Sequence, residues 1–156
     1  MSRPTRTSGV ISPSIACNGC FRPKEHCFCS EIAPAVNHLP VHILQFPREK
    51  YKLLNSAHLS AAALNRCTVH IGLSWPSLKA IDPSAGRPQE WGVLYMKGKP
   101  RHSRPLACIG KNGEVIQKDV DLKGIIVLDG SWKQAKTLWY RNRWLWRLKR
   151  ISLNPA

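Results

Sequence analysis

Acidic residues are scarce in this chain: nine Asp and Glu stand against 24 Lys and Arg, a formal net charge of +15 over 156 residues. Such a balance attracts polyanions, and a pI near 10.1 is an electrostatic footprint of nucleic-acid binding, with a merely solubilising surface as the plainer alternative. Long apolar runs are also lacking, which excludes a membrane-spanning helix on sequence grounds and with it a membrane partner. The leading residues Met1 to Ser14 are polar, without the apolar centre of a signal peptide, so the expectation is a soluble, cytoplasmic protein with a disordered lead over 1–14. No internal repeat is present, which excludes a solenoid or propeller.

The positive charge is clustered. Lys97, Lys99, Arg101, Arg104 and Lys111 form one group without an intervening acid. Lys133, Lys136, Arg141, Arg143, Arg147, Lys149 and Arg150 form a second. Clustering favours nucleic acid over general solubility.

Four of the six cysteines fall within 13 residues, as Cys17-x2-Cys20-x6-Cys27-x-Cys29. Four thiolates this close match a tetrahedral Zn²⁺ site, which defines a small four-cysteine zinc-binding segment over 15–31. With every position filled by protein the metal is structural, and loading it lowers the formal charge by about two because the thiols deprotonate. His26 is a possible substitute ligand. Unmetallated thiols in a loose arm are the alternative, and the Cys27-x-Cys29 spacing is unlike ferredoxin runs. Cys67 and Cys108 sit in apolar strand candidates and read as small core residues.

Beyond residue 31 strands alternate with helices. Pro40–Gln45 is a short apolar run. Leu53, Leu54, Ala57, Ala61 and Leu64 recur at helical spacing within 48–65. Arg66–Ile71 and Trp91–Met96 read as strands, Pro105–Ile109 as a weaker one, 75–90 as a Pro-rich loop and Asn112-Gly113 as a turn. Gly124–Asp129 is continuously apolar up to its last residue, as buried parallel strands are. Ser131 and Gln134 then have capping-box spacing. On the wheel of that helix Trp132, Ala135, Leu138, Trp139, Leu145 and Trp146 share one arc, and Lys136, Tyr140, Arg143 and Arg147 another. The alternation predicts an α/β domain over 32–156 with a mostly parallel sheet flanked by helices.

Ligands of such sheets lie beyond the C-terminal strand ends. Two ends are therefore candidate sites: Gln45-Phe46-Pro47-Arg48-Glu49, and Asp129-Gly130-Ser131-Trp132. The second opens a helix whose amides suit a carboxylate or phosphate, with Gly130 allowing close approach. Ordinary helix-start chemistry is the competing explanation at both.

Taken together, these pieces resemble the DTW-domain family. The resemblance rests on Cys17, Cys20, Cys27 and Cys29, then Pro47 and Glu49 with Asn55-Ser56 downstream, then Asp129, Ser131 and Trp132 followed by Gln134-Ala135. It implies a SPOUT-like α/β fold, S-adenosylmethionine as donor, and transfer of its 3-amino-3-carboxypropyl group to N3 of a tRNA uridine. Carried onto this chain, Asp129 is the candidate base; Pro47, Glu49, Gly130, Ser131 and Trp132 are candidate donor-binding residues. The helix face bearing Lys136, Tyr140, Arg143 and Arg147 is the candidate RNA contact. Phe46 stands where the family usually carries His. The sequence ends at Asn154-Pro155-Ala156, without the family's Arg-rich segment and Ser-Thr-x-Glu-Ala motif, so the resemblance implies a C-terminally shortened member. A SPOUT-type RNA methyltransferase and a non-catalytic zinc-containing RNA-binding module are the competing functions.

Overall fold

The computed structural model describes residues 16–20, 22–50, 52, 55–94, 102–117 and 121–154. The expected lead over 1–14 lies outside the described residues, as do Tyr95, Met96 and the cluster's Lys97, Lys99 and Arg101.

Among the described residues seven strands form one sheet: β1 (Val41–Gln45), β2 (Cys67–Ile71), β3 (Trp91–Leu94), β4 (Leu106–Ile109), β5 (Val115–Gln117), β6 (Gly124–Asp129) and β7 (Lys149–Leu153). Their spatial order is β2-β1-β6-β3-β7-β4-β5. The first five in that order run parallel, as the apolar runs predict. β4 and β5 add an antiparallel edge, because Gly113, at φ 85°, turns the chain back between them. The sheet is thus mixed, with a parallel body.

Among the described residues three α-helices cover it: α1 (Ser56–Ala63), α2 (Leu78–Ile81) and α3 (Trp132–Arg141). One face of the sheet packs Leu44, Val93 and Ile126 against Leu78 and Ile81 of α2 and against Leu145, with Trp139 of α3 alongside. Leu44, Val93, Ile126 and Leu145 are fully buried, each contributing about 1.5–3 kcal/mol by leaving water. Successive strand residues point to opposite faces, so Gln45 and Asp129 turn to the side where α1 lies.

Two elements depart from the sequence pattern. The helix expected within 48–65 is a 3₁₀ turn at Pro47–Glu49 followed by α1, which starts only at Ser56. Asn55 sets that start by accepting the His58 N–H on its side chain. The loop 75–90 contains α2, held by the burial of Leu78 and Ile81. No helix among the described residues is long and apolar enough to cross a membrane.

Candidate functional site

β1 and β6 are neighbours in register, Gln45 opposite Asp129, so the two candidate strand ends lie side by side. Gln45 Nε2 donates to Asp129 Oδ2 at 2.8 Å and to Asn55 Oδ1 at 3.0 Å. Asn55 Nδ2 donates in turn to the carbonyls of Glu49 and Lys50, at 3.2 and 3.0 Å. The Phe46 N–H donates to the Asp129 carbonyl at 3.0 Å. The turn at Pro47–Glu49, the start of α1 and the end of β6 are therefore one hydrogen-bonded unit. In the sequence, Asn55 is only a motif position and Gln45 only a strand end.

α3 opens as its capping box predicts. The Ser131 N–H donates to Gln134 Oε1 at 2.6 Å, and the Gln134 N–H donates to Ser131 Oγ at 3.4 Å. Two of the four first-turn amides are thereby satisfied; those of Trp132 and Lys133 have no partner among the described residues and can meet an anion. A side chain at Gly130 would bring a Cβ to 2.8 Å from the Gln134 Cβ and 3.4 Å from the Phe46 Cβ, so the corner is closed to anything larger than glycine. The ring-bearing Phe46 is in this way part of the site, apolar where a His is usual in the family it resembles.

Glu49 is mostly buried and forms an ion pair with Lys52 at 2.5 Å. Trp132 is 60% exposed, with the Lys136 ammonium 5.8 Å from its ring. The two strand ends thus carry a carboxylate, Glu49, in the turn after β1 and an exposed indole, Trp132, at the first residue of α3.

The RNA-contact candidates are redistributed. α3 stops at Arg141 because the buried Asn142 takes its side chain to the Leu138 carbonyl (2.8 Å) and the Leu73 carbonyl (3.1 Å), while accepting the Trp75 N–H at 2.8 Å. Arg143–Arg147 then form a 3₁₀ turn, so Arg143 and Arg147 do not continue the helical arc of Lys136 and Tyr140. Trp146, expected on the core arc, is exposed beside Tyr140. Arg143 and Arg147 line a cavity of about 430 Å³ together with Lys79 and Trp144.

The four clustered cysteines converge. Their sulfurs all lie within 4.8 Å of one another, with pairs at 3.4, 3.8 and 3.9 Å. A tetrahedron with metal–sulfur legs of about 2.3 Å has edges of about 3.8 Å, so the spacing fits a bound metal ion such as zinc. Amides of Cys20 and Gly19 aimed at Cys17 bring its thiol down to about 6, whereas burial pushes the Cys29 thiol up to about 12. His26 stays exposed, 3.9 Å from Glu25. Cys108 is buried in β4, and burial raises both its thiol and that of Cys67.

Residues 14–156 match the family model described as the DTW domain. The chain belongs to the DTW-domain family. This DTW domain is similar to tRNA-uridine aminocarboxypropyltransferase 2 of Macaca fascicularis, 27% identical over 149 residues, covering 90% of this chain and 46% of that protein. The Mus musculus enzyme of the same name is 28% identical over 146 residues, with the same coverage of 90% and 46%. That of Drosophila melanogaster is 28% identical over 148 residues, covering 88% and 53%. The chain spans about half the length of these curated relatives. No solved structure matches it.

Proposed function

We propose that this DTW domain is a tRNA-uridine aminocarboxypropyltransferase, using S-adenosylmethionine as donor and N3 of a tRNA uridine as acceptor. The observation that carries the reading is the joining of both motif-bearing strand ends through Gln45, which fixes the Asp129 carboxylate at the end of β6, two residues before the Ser131 cap of α3. The curated relatives' name supports the same chemistry.

In this reading the Trp132 and Lys133 amides receive the donor's carboxylate, with the Ser131 hydroxyl as a further donor, and Glu49 faces its amine from the Pro47 turn. Gly130 lets the backbone turn tightly between Phe46 and Gln134 into α3, and Trp132 offers a flat wall. Bound there, the sulfonium donor supplies an electrophilic carbon and leaves as methylthioadenosine. Asp129 accepts the N3 proton as the N–C bond forms, which converts a weak nucleophile into a competent one. Holding the aminocarboxypropyl carbon rather than the methyl in line with N3 decides the product. Lys136, Tyr140, Arg143 and Arg147 meet the RNA, cations on phosphates and rings on unpaired bases. Zinc on Cys17, Cys20, Cys27 and Cys29 orders segment 15–31 by cross-linking it to itself; the α/β domain of 32–156 that follows is SPOUT-like and works in the cytoplasm on tRNA.

The test is the co-product formed when the protein is incubated with tRNA and S-adenosylmethionine. Methylthioadenosine is expected. S-adenosylhomocysteine instead identifies an RNA methyltransferase, and RNA binding with neither product identifies a non-catalytic module.

A further inference from the structure

A buried polar chain behind Asp129 has no part in the proton transfer described above. Gln45 is fully buried, and Asn55 and His58 are 7% and 6% exposed. Polar groups this deep are costly unless each donor meets an acceptor.

One fact assigns every proton in the chain. Backbone carbonyls only accept, so the Asn55 end facing the Glu49 and Lys50 carbonyls is its NH₂. Its Oδ1 therefore points to Gln45 and to the His58 N–H. That makes the facing end of Gln45 its NH₂, whose two hydrogens go to Asn55 Oδ1 and Asp129 Oδ2. The Gln45 Oε1 is left toward His58 Nε2 at 3.1 Å, which must carry a hydrogen. A flipped Gln45 would instead set its oxygen against the Asn55 Oδ1 and the Asp129 carboxylate, three acceptors with no hydrogen between them.

We propose that His58 is a positioning residue for Asp129: its Nε2–H holds the Gln45 amide in the one orientation that anchors the carboxylate. The inference rests on the reading of Asp129 as base, and it adds the residues that aim it. Burial lowers the His58 pKa, with Asp129 opposing and Lys50 assisting, which favours the neutral ring. Because Asn55 also carries the Glu49 and Lys50 carbonyls, the same chain ties the turn after β1 to the end of β6.

The test uses the full chain. Imidazole ¹⁵N shifts are expected to report the Nε2–H tautomer of His58 at neutral pH; an Nδ1–H tautomer or a doubly protonated ring overturns the assignment whether or not the protein is active. In turnover, His58→Phe and Gln45→Leu are expected to lower kcat by about 10- to 100-fold with little change in the donor KM. His58→Gln, which keeps a donor at the same reach, recovers most of the rate. A folded His58→Phe protein with unchanged kcat overturns the positioning role. Wild-type protein that forms no aminocarboxypropyl product defeats the proposed function, while the tautomer measurement still decides the hydrogen-bond chain.

Discussion

The ring of Tyr140 stands edge-on to that of Trp146, centroids 6.2 Å apart and planes at 89°. Tyr140 is 64% and Trp146 43% exposed, and the Arg143 guanidinium lies 5.5 Å from the Trp146 ring. Exposed rings held by one another and by a cation are preorganised stacking surfaces.

On single-stranded RNA, Tyr140→Ala and Trp146→Ala are each expected to weaken binding by about 1–3 kcal/mol. Arg143→Ala and Arg147→Ala are expected to flatten the salt dependence by about 0.7 for each phosphate the arginine neutralises. Fluorescence anisotropy at several salt concentrations measures both. Unchanged affinity in the ring variants, or an unchanged slope in the arginine variants, counts against an RNA face here.

Much of this arrangement was legible in the sequence, for identifiable reasons. The apolar run ending at Asp129 and the Ser131–Gln134 spacing are local signals, and β6 and α3 follow them. The cysteine spacing is equally local, and the sulfurs converge. What stayed hidden depends on partners far away in sequence. Asn142 ends α3 by bonding to Leu73 and Trp75, so the Tyr140–Trp146 pairing could not be read from a helical wheel. Gln45 and His58 looked like an ordinary strand end and a helix residue until Asp129 came beside them. His42, bridging His70 at 3.0 Å and Asp82 at 3.2 Å, is buried in the same way without any motif to announce it.

Ser131→Ala removes the cap of α3 and is expected to cost about 1 kcal/mol. Gly130→Ala drives a Cβ into the Gln134 Cβ and is expected to cost about 1–3 kcal/mol. Urea unfolding of both variants measures this. Wild-type midpoints would mean that the corner is looser than its close approaches describe.

Metal analysis is expected to find one zinc per chain. A chelator, or Cys20→Ser at the buried ligand position, should remove the ion and lower the melting temperature. A metal-free protein whose melting is unaffected by chelator would contradict a structural metal.

Stability should fall on mild acidification. Burial lowers the pKa of His58 and of His70, while both protonate near about 6.5 when unfolded. A histidine harder to protonate in the folded state contributes fully above the unfolded value and loses that contribution as pH drops toward the folded one. Asp82, lowered mainly by its bond from the Ser84 hydroxyl, contributes above the usual carboxylate range and is lost only at lower pH. Unfolding free energies between pH 7.5 and 5 should decline, less steeply in His70→Gln. A flat profile, or a rise on acidification, would refute the histidine contribution.

Mass spectrometry of nucleosides from unmodified tRNA, incubated with S-adenosylmethionine and either wild-type protein or Asp129→Asn, bears most directly on the proposed chemistry. The expected result is uridine carrying the aminocarboxypropyl group on N3 with wild type, and at least about 100-fold less with the variant. Equal product from both proteins would remove Asp129 as the base.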